Sequence, residues 1–281
     1  MLTQSRIWIT LLTFLFMALP VAADTLRVTI VTDFVKKNKK ETDTEIIIID
    51  GDKKVRLEFL GKEKTPSETT PYLLTIDGGN TWVIGNKAEA FCAQMDTHEF
   101  FTYLGNLALK VEGIANLEIT DPQVKKVLEQ KGPAILGYPT THVQLVTTAS
   151  GKAAVLFEKY DYKVNITDDI WFTTKMEMHP VRKRWLEALS QSGYKQLDSL
   201  IDQWAANLPG AILKQESVIK VTNVIKNEEE IYSEKTRVMT IEKLKPSDIP
   251  KQTLDMPKCK SINKKEMRHT AKDLFEKGKL L

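Results

Sequence analysis

Residues 45–59 read Glu-Ile-Ile-Ile-Ile-Asp-Gly-Asp-Lys-Lys-Val-Arg-Leu-Glu-Phe. The run Ile46–Ile49 is too short for a helix and is β-branched throughout, which reads as a buried strand. Val55-Arg56-Leu57-Glu58-Phe59 alternates apolar and polar residues, the period of a strand with one face buried. Asp50-Gly51-Asp52 between them has the residues of a tight turn. The stretch is therefore an antiparallel hairpin, and it sets the pattern for most of the chain.

Further strands lie on both sides. Leu26–Thr32 alternates β-branched and polar residues. Tyr72–Ile76 and Thr81–Ile84 flank Asp77-Gly78-Gly79-Asn80, a second hairpin. No helix follows those glycines, so they are a turn and not a phosphate loop. Strands are also expected at 88–93, 115–120, 142–146, 153–166 and 170–174. Two long ones, 212–225 and 231–244, are joined by the charged Lys226-Asn227-Glu228-Glu229-Glu230.

The period changes twice. Phe100, Phe101, Leu104, Leu107 and Ala108 mark one face of a helix over 97–108, capped by Asp96 or Thr97. A second helical region spans 181–208. It holds Trp185, Leu186 and Leu189, then Leu197, Leu200, Ile201, Trp204 and Leu208, with Gly193 between the groups. Pro209-Gly210 ends it. Antiparallel strands interrupted by two helical insertions predict an α+β fold: a curved antiparallel sheet, a half-barrel, wrapped around the helices. No linker or internal repeat divides residues 24–258, so they are read as one domain.

Compartment is written at the N-terminus. Arg6 precedes the apolar run Ile7–Leu19, then come Pro20, Ala22 and Ala23. That is the layout of a secretory signal peptide over residues 1–23, cleaved before Asp24. The alternative is an uncleaved anchor, but the run is short of the ~20 residues a membrane span needs. The expected location is the periplasm or another exported compartment. Losing Arg6 takes the net charge from +3 to +2. A near-neutral chain lacks the footprint of nucleic-acid binding. With 42% apolar residues the chain has a core to bury, which excludes disorder as its general state.

Few residues offer chemistry. Cys92 and Cys259 are the two cysteines. In an oxidising compartment they are either a disulfide or two separate thiols. Cys92, Met95 and His98 form a soft-ligand set suited to copper, with Met176, Met178 and His179 as a second. The opposing reading is that the methionines fill core gaps. No zinc or serine-hydrolase signature occurs. His142 reads as a half-buried sheet residue. Asp168-Asp169 reads as a turn, with calcium binding as the alternative. No cofactor is expected, and no catalytic residue is assigned.

Four tryptophans follow residue 23: Trp82, Trp171, Trp185 and Trp204. Two fall on expected strands and two on the helical insertion. They are either core packing or the lining of an apolar cavity between sheet and helices. The tail 259–281 is basic, and Met267, Ala271, Leu274 and Phe275 share a helical face there. It is either a solvated terminus or a segment that lies on anionic lipid or an acidic partner.

Four stretches together carry a resemblance. They are Thr75-Ile76-Asp77-Gly78-Gly79-Asn80-Thr81-Trp82, Gly137-Tyr138-Pro139-Thr140-Thr141-His142, Asp169-Ile170-Trp171-Phe172-Thr173, and Ile249-Pro250 with Leu254-Asp255-Met256-Pro257. Over residues 24–258 the chain resembles an uncharacterised family of secreted bacterial proteins, a domain of unknown function. That family is similar to the lipoprotein-carrier type of half-barrel. The resemblance implies a compartment, a curved sheet around a helical plug, and an analogy to lipid or lipoprotein carriers. It supplies no catalytic residues, and the basic tail departs from it. The expected function is an exported, non-enzymatic binding module for an apolar small molecule or lipid. The alternatives are an envelope interaction protein with a filled core and a periplasmic copper binder.

Overall fold

The computed structural model describes residues 25–261, apart from 37–38, 62, 64, 68–69, 87–90, 100–113, 156–157, 192, 250–252 and 258. The expected signal peptide, the body of the first helix and the helical tail lie outside these residues. The described strands are β1 (Leu26–Lys36), β2 (Lys39–Asp50), β3 (Lys54–Gly61), β4 (Tyr72–Thr75), β5 (Thr81–Asn86), β6 (Phe91–Asp96), β7 (Ile114–Lys131), β8 (Thr141–Val155), β9 (Glu158–Thr173), β10 (Ala211–Asn223), β11 (Glu228–Lys243) and β12 (Lys260–Ser261). They form a single open sheet in the order β12-β6-β5-β4-β3-β2-β1-β11-β10-β9-β8-β7. Every pairing is antiparallel except the short β12, which runs parallel to β6. The expected large antiparallel sheet is thus present.

Three expectations need correction. β7 does not stop at Thr120 but runs on through Asp121-Pro122, where its register against β8 shifts. Proline lacks a ladder donor, and an edge strand with a bulge is where a sheet tolerates it. Residues 153–155 belong to β8, so the expected strand 153–166 is the end of one strand and the start of the next. Asp168-Asp169 is no turn: both residues lie inside β9.

Two helices follow β9: α1 (Pro180–Leu189) and α2 (Lys195–Ala205). They are the two apolar groups of the 181–208 region. Gly193 between them has φ +85°, a left-handed backbone that glycine adopts without strain. Residues 97–99 open the other helix as expected.

Alternation gives the sheet an inner face. Val28, Ile30, Ile47, Ile49, Val55, Leu57, Trp82, Ile84, Val143, Leu145, Ile170 and Phe172 form one core cluster with Val181, Trp185, Leu186, Leu189, Ile201 and Trp204 of the helices. α1 sits over the β3–β5 side. Trp185 packs on Trp82 with ring centroids 4.7 Å apart, and His179 Nε2 lies 2.9 Å from the Gly51 carbonyl oxygen. α2 lies by the opposite edge. There the β7 amides of Ile119 and Val124 donate to Tyr194 Oη and Gln203 Oε1. Long polar side chains from α2 and from its N-cap Tyr194 thereby occupy donors that an edge strand otherwise leaves open.

The outer face of β2–β5 has its own cover. After β11 the chain crosses it, and Leu244 and Leu254 pack on Ile48, Tyr72, Leu74 and Val83. The crossing ends at β12, where Lys260 faces Ala93. Cys259 and Cys92 precede these two paired residues on neighbouring parallel strands. We predict that Cys259 and Cys92 are bridged. Thiol labelling of denatured, unreduced protein should find no free thiol, and reduction should cost about 2–4 kcal/mol. Two labelled cysteines would refute the bridge.

Gly210 fixes the join between α2 and β10. A Cβ there would lie 2.2 Å from the Thr173 carbonyl oxygen. Backbone cannot yield as a flexible side chain does. Gly210→Ala is therefore expected to lower the unfolding free energy by about 1–3 kcal/mol, read from urea midpoints.

Candidate functional site

The four tryptophans separate. Trp82, Trp185 and Trp204 are buried in the inner core cluster. Trp171 is not among them. Its neighbours Ile170 and Phe172 point inward, so strand alternation turns Trp171 to the outer face. There it stacks on His142, with centroids 4.4 Å apart and planes 4° from parallel. Lys214 Nζ lies 3.8 Å from its ring centroid. The three residues are direct neighbours across β8, β9 and β10. His142 Nε2 is 2.7 Å from Asp169 Oδ1, and Gln144 Nε2 donates to the same carboxylate. Trp171 therefore drops out of the inner lining, and His142 is the half-buried sheet residue expected.

The copper candidates do not converge. Met95 is buried in the core and His98 is exposed; the Cys92 side chain lies outside the described residues. Met176 is core, with Met178 packed against it. His179 caps α1: its Nδ1 accepts from the Val181 amide and its Nε2 bonds the Gly51 carbonyl. Burial, the dominant cause, holds the imidazole below its ordinary pKa. Asp168 and Asp169 face opposite sides of the sheet, so they cannot close on one calcium ion. Among the described residues no group of three or more His, Cys, Asp or Glu could hold a metal.

What sequence reasoning missed is a polar row on the inner face. It crosses five adjacent strands: Asp168 on β9, Gln215 and Ser217 on β10, Glu234 and Thr236 on β11, Thr32 on β1, and Glu45 on β2. The register places Asp168 opposite Ser217, Ser217 opposite Glu234, Gln215 opposite Thr236, and Thr236 opposite Thr32. Glu45, Asp168, Gln215, Ser217, Glu234 and Thr236 are each no more than 6% exposed. Ser217 Oγ donates to Asp168 Oδ1 at 2.5 Å. Gln215 Nε2 donates to Asp168 Oδ1 and to Ser217 Oγ, both at 3.1 Å. The Trp204 side chain adds a further hydrogen bond to Asp168. Thr236 Oγ1 donates to Glu234 Oε1 at 3.4 Å and lies 3.1 Å from Thr32 Oγ1.

Burial controls the electrostatics here. The Glu45 carboxyl is pushed up to about 8, first by desolvation and then by the charges of Asp43 and Glu234. Asp168 is also raised by burial, against the hydrogen bonds from Ser217, Gln215 and Trp204. Arg182 of α1 is fully buried as well, and desolvation pulls its guanidinium down to about 9.

Apolar side chains flank the row along the strands. Toward the helices lie Val28, Ile47, Val238, Val143 and Ile170. Toward the hairpin tips lie Phe34, Ile219 and Tyr232, with Ile166 and Val221 packed on them. A surface that is apolar, then polar, then apolar again can meet both parts of an amphiphile.

No family model matches the chain, and no curated protein matches it. No helix among the described residues is long and apolar enough to cross a membrane. Solved structures similar to it include a LolA superfamily protein from Nitrosomonas europaea, at 9% identity, covering 84% of this chain and 92% of that one with a TM-score of 0.28. A candidate outer membrane lipoprotein-sorting protein domain from Vibrio parahaemolyticus has 9% identity, 84% and 93% coverage and the same TM-score of 0.28. A DUF1329 family protein from Desulfovibrio piger has 7% identity, 83% and 92% coverage and again a TM-score of 0.28. A TM-score of 0.28 is too low for any of these likenesses to bear on function.

Proposed function

We propose that the chain is an exported, non-catalytic binding module of the carrier type. In this reading the sheet wraps as a half-barrel around α1 and α2, and its inner face takes a largely apolar ligand such as a lipid. The observation that carries the reading is the polar row. Burying carboxyl and amide groups across a sheet is costly, and a core that only has to be filled gains nothing from it. The packing of Trp82 on Trp185 fills the end nearer α1. The ligand therefore belongs at the row and at the tip-side cluster of Phe34, Ile219 and Tyr232.

Native mass spectrometry of protein purified from the cell envelope tests this directly. The expected result is an added mass that organic solvent extracts. The same protein, once stripped, should bind an apolar fluorescent probe saturably and release it to a long-chain alcohol. Protein that carries no organic ligand and binds no probe would leave the filled-core interaction protein as the surviving reading.

A further inference from the structure

We propose that the polar row seats the head group of the bound molecule, and that this head group is a protonated amine: the ligand is a cationic amphiphile. The inference rests on the inner face being a binding surface.

The first argument is the balance of donors and acceptors. On three adjacent strands, β9 to β11, the row presents the carboxyls of Asp168 and Glu234 and the amide oxygen of Gln215. Its own donors are already turned inward on it. Ser217 Oγ and Gln215 Nε2 serve Asp168, as does Trp204 from α2, and Thr236 serves Glu234. The second argument is Gln215 itself. Its Nε2 bonds two acceptors, so the orientation of its amide is fixed. That leaves Oε1 buried with no hydrogen-bond partner. A buried carbonyl oxygen without a donor is destabilising. A ligand N–H removes that cost.

The third argument is charge. The groups facing Glu45 are Asp43 and Glu234, and Asp168 has Asp169 on the reverse face of its own strand. Toward the tips, Lys36 Nζ is held by Glu230 and Tyr232. A fatty carboxylate or a phosphate would bring further acceptors to a seat that already has Glu234, Asp168 and the Gln215 carbonyl and no donor left to meet them. An ammonium supplies several donors and the opposite charge together. Its apolar body lies along Phe34, Ile219 and Tyr232 on the tip side.

The test compares head groups on one tail. Dodecylamine, dodecanol and dodecanoate compete with a bound apolar probe at neutral pH, all below micellar concentration. The expected result is that dodecylamine displaces the probe at a concentration at least about tenfold lower than either of the others. In folded Glu234→Gln/Asp168→Asn protein the three should fall within about threefold of one another. If that double variant fails to fold, Asp168→Asn alone should shrink the preference severalfold. Dodecanoate or dodecanol binding as tightly as the amine overturns the inference and leaves the apolar carrier standing. An amine preference that survives in the folded variants places the head group elsewhere and overturns it too. Failure of the parent protein to bind any probe overturns both readings.

Discussion

Replacing Glu45 by glutamine is expected to stabilise the protein by about 4 kcal/mol at pH 8 while changing it little near pH 4.5. The unfolded chain releases the Glu45 proton near the ordinary value of 4.5, whereas the folded protein holds it until about 8. Between those values the folded state binds more protons than the unfolded state. Stability from this group is therefore complete below 4.5, falls as pH rises through the window, and is gone once pH passes 8. Glutamine keeps the size and polarity of the protonated acid but cannot ionise. The variant and the parent should unfold at similar urea concentrations in acid and diverge as pH rises. Asp168 is raised by burial in the same sense, so the variant retains part of the slope. Parallel stability curves from pH 5 to 8 would mean that Glu45 is solvated and that the row is not a dry interior feature.

The strands were legible where the turns between them were. Asp50-Gly51 and Asp77-Gly78-Gly79-Asn80 are hairpins by their chemistry. In the second, Asp77 Oδ1 accepts from the Asn80 and Thr81 amides and the Thr75 hydroxyl. Those bonds act against the raising effect of burial and leave the Asp77 carboxyl below its ordinary pKa. Strand-breaking residues misled wherever a bulge absorbs them, as at Asp121-Pro122 in β7. Asp168-Asp169 misled for a related reason. Paired acids usually mark a solvated turn, and carboxyls are rarely buried. Period two does assign Ile170 and Phe172 to one face and Trp171 to the other, so the outward Trp171 was readable from its neighbours. The polar row was not. It is assembled by register across five strands, and no one strand carries more than two of its members.

Trp185→Ala is expected to be the most destabilising tryptophan change, at about 3–5 kcal/mol. Its ring is buried between α1 and the sheet and tilts 52° against Trp82. The surrounding Val181, Leu186 and Leu189 stand on the same short helix, which cannot collapse into the space without leaving the sheet. Trp171→Ala should cost far less, about 1 kcal/mol. That ring is half-buried on the outer face, and its removal takes away one stack with His142 and one contact with Lys214. Trp204→Ala falls in a different category, because it removes both a buried ring and a donor to Asp168. Its loss should grow as pH rises and the carboxylate ionises, whereas the Trp185 loss should not vary with pH. Urea unfolding of the three variants, followed from acid to pH 8, measures all of this. Equal costs for Trp171 and Trp185 would contradict the assignment of inner and outer faces. A pH-independent loss at Trp204 would remove the indole from the polar row and return it to plain core packing.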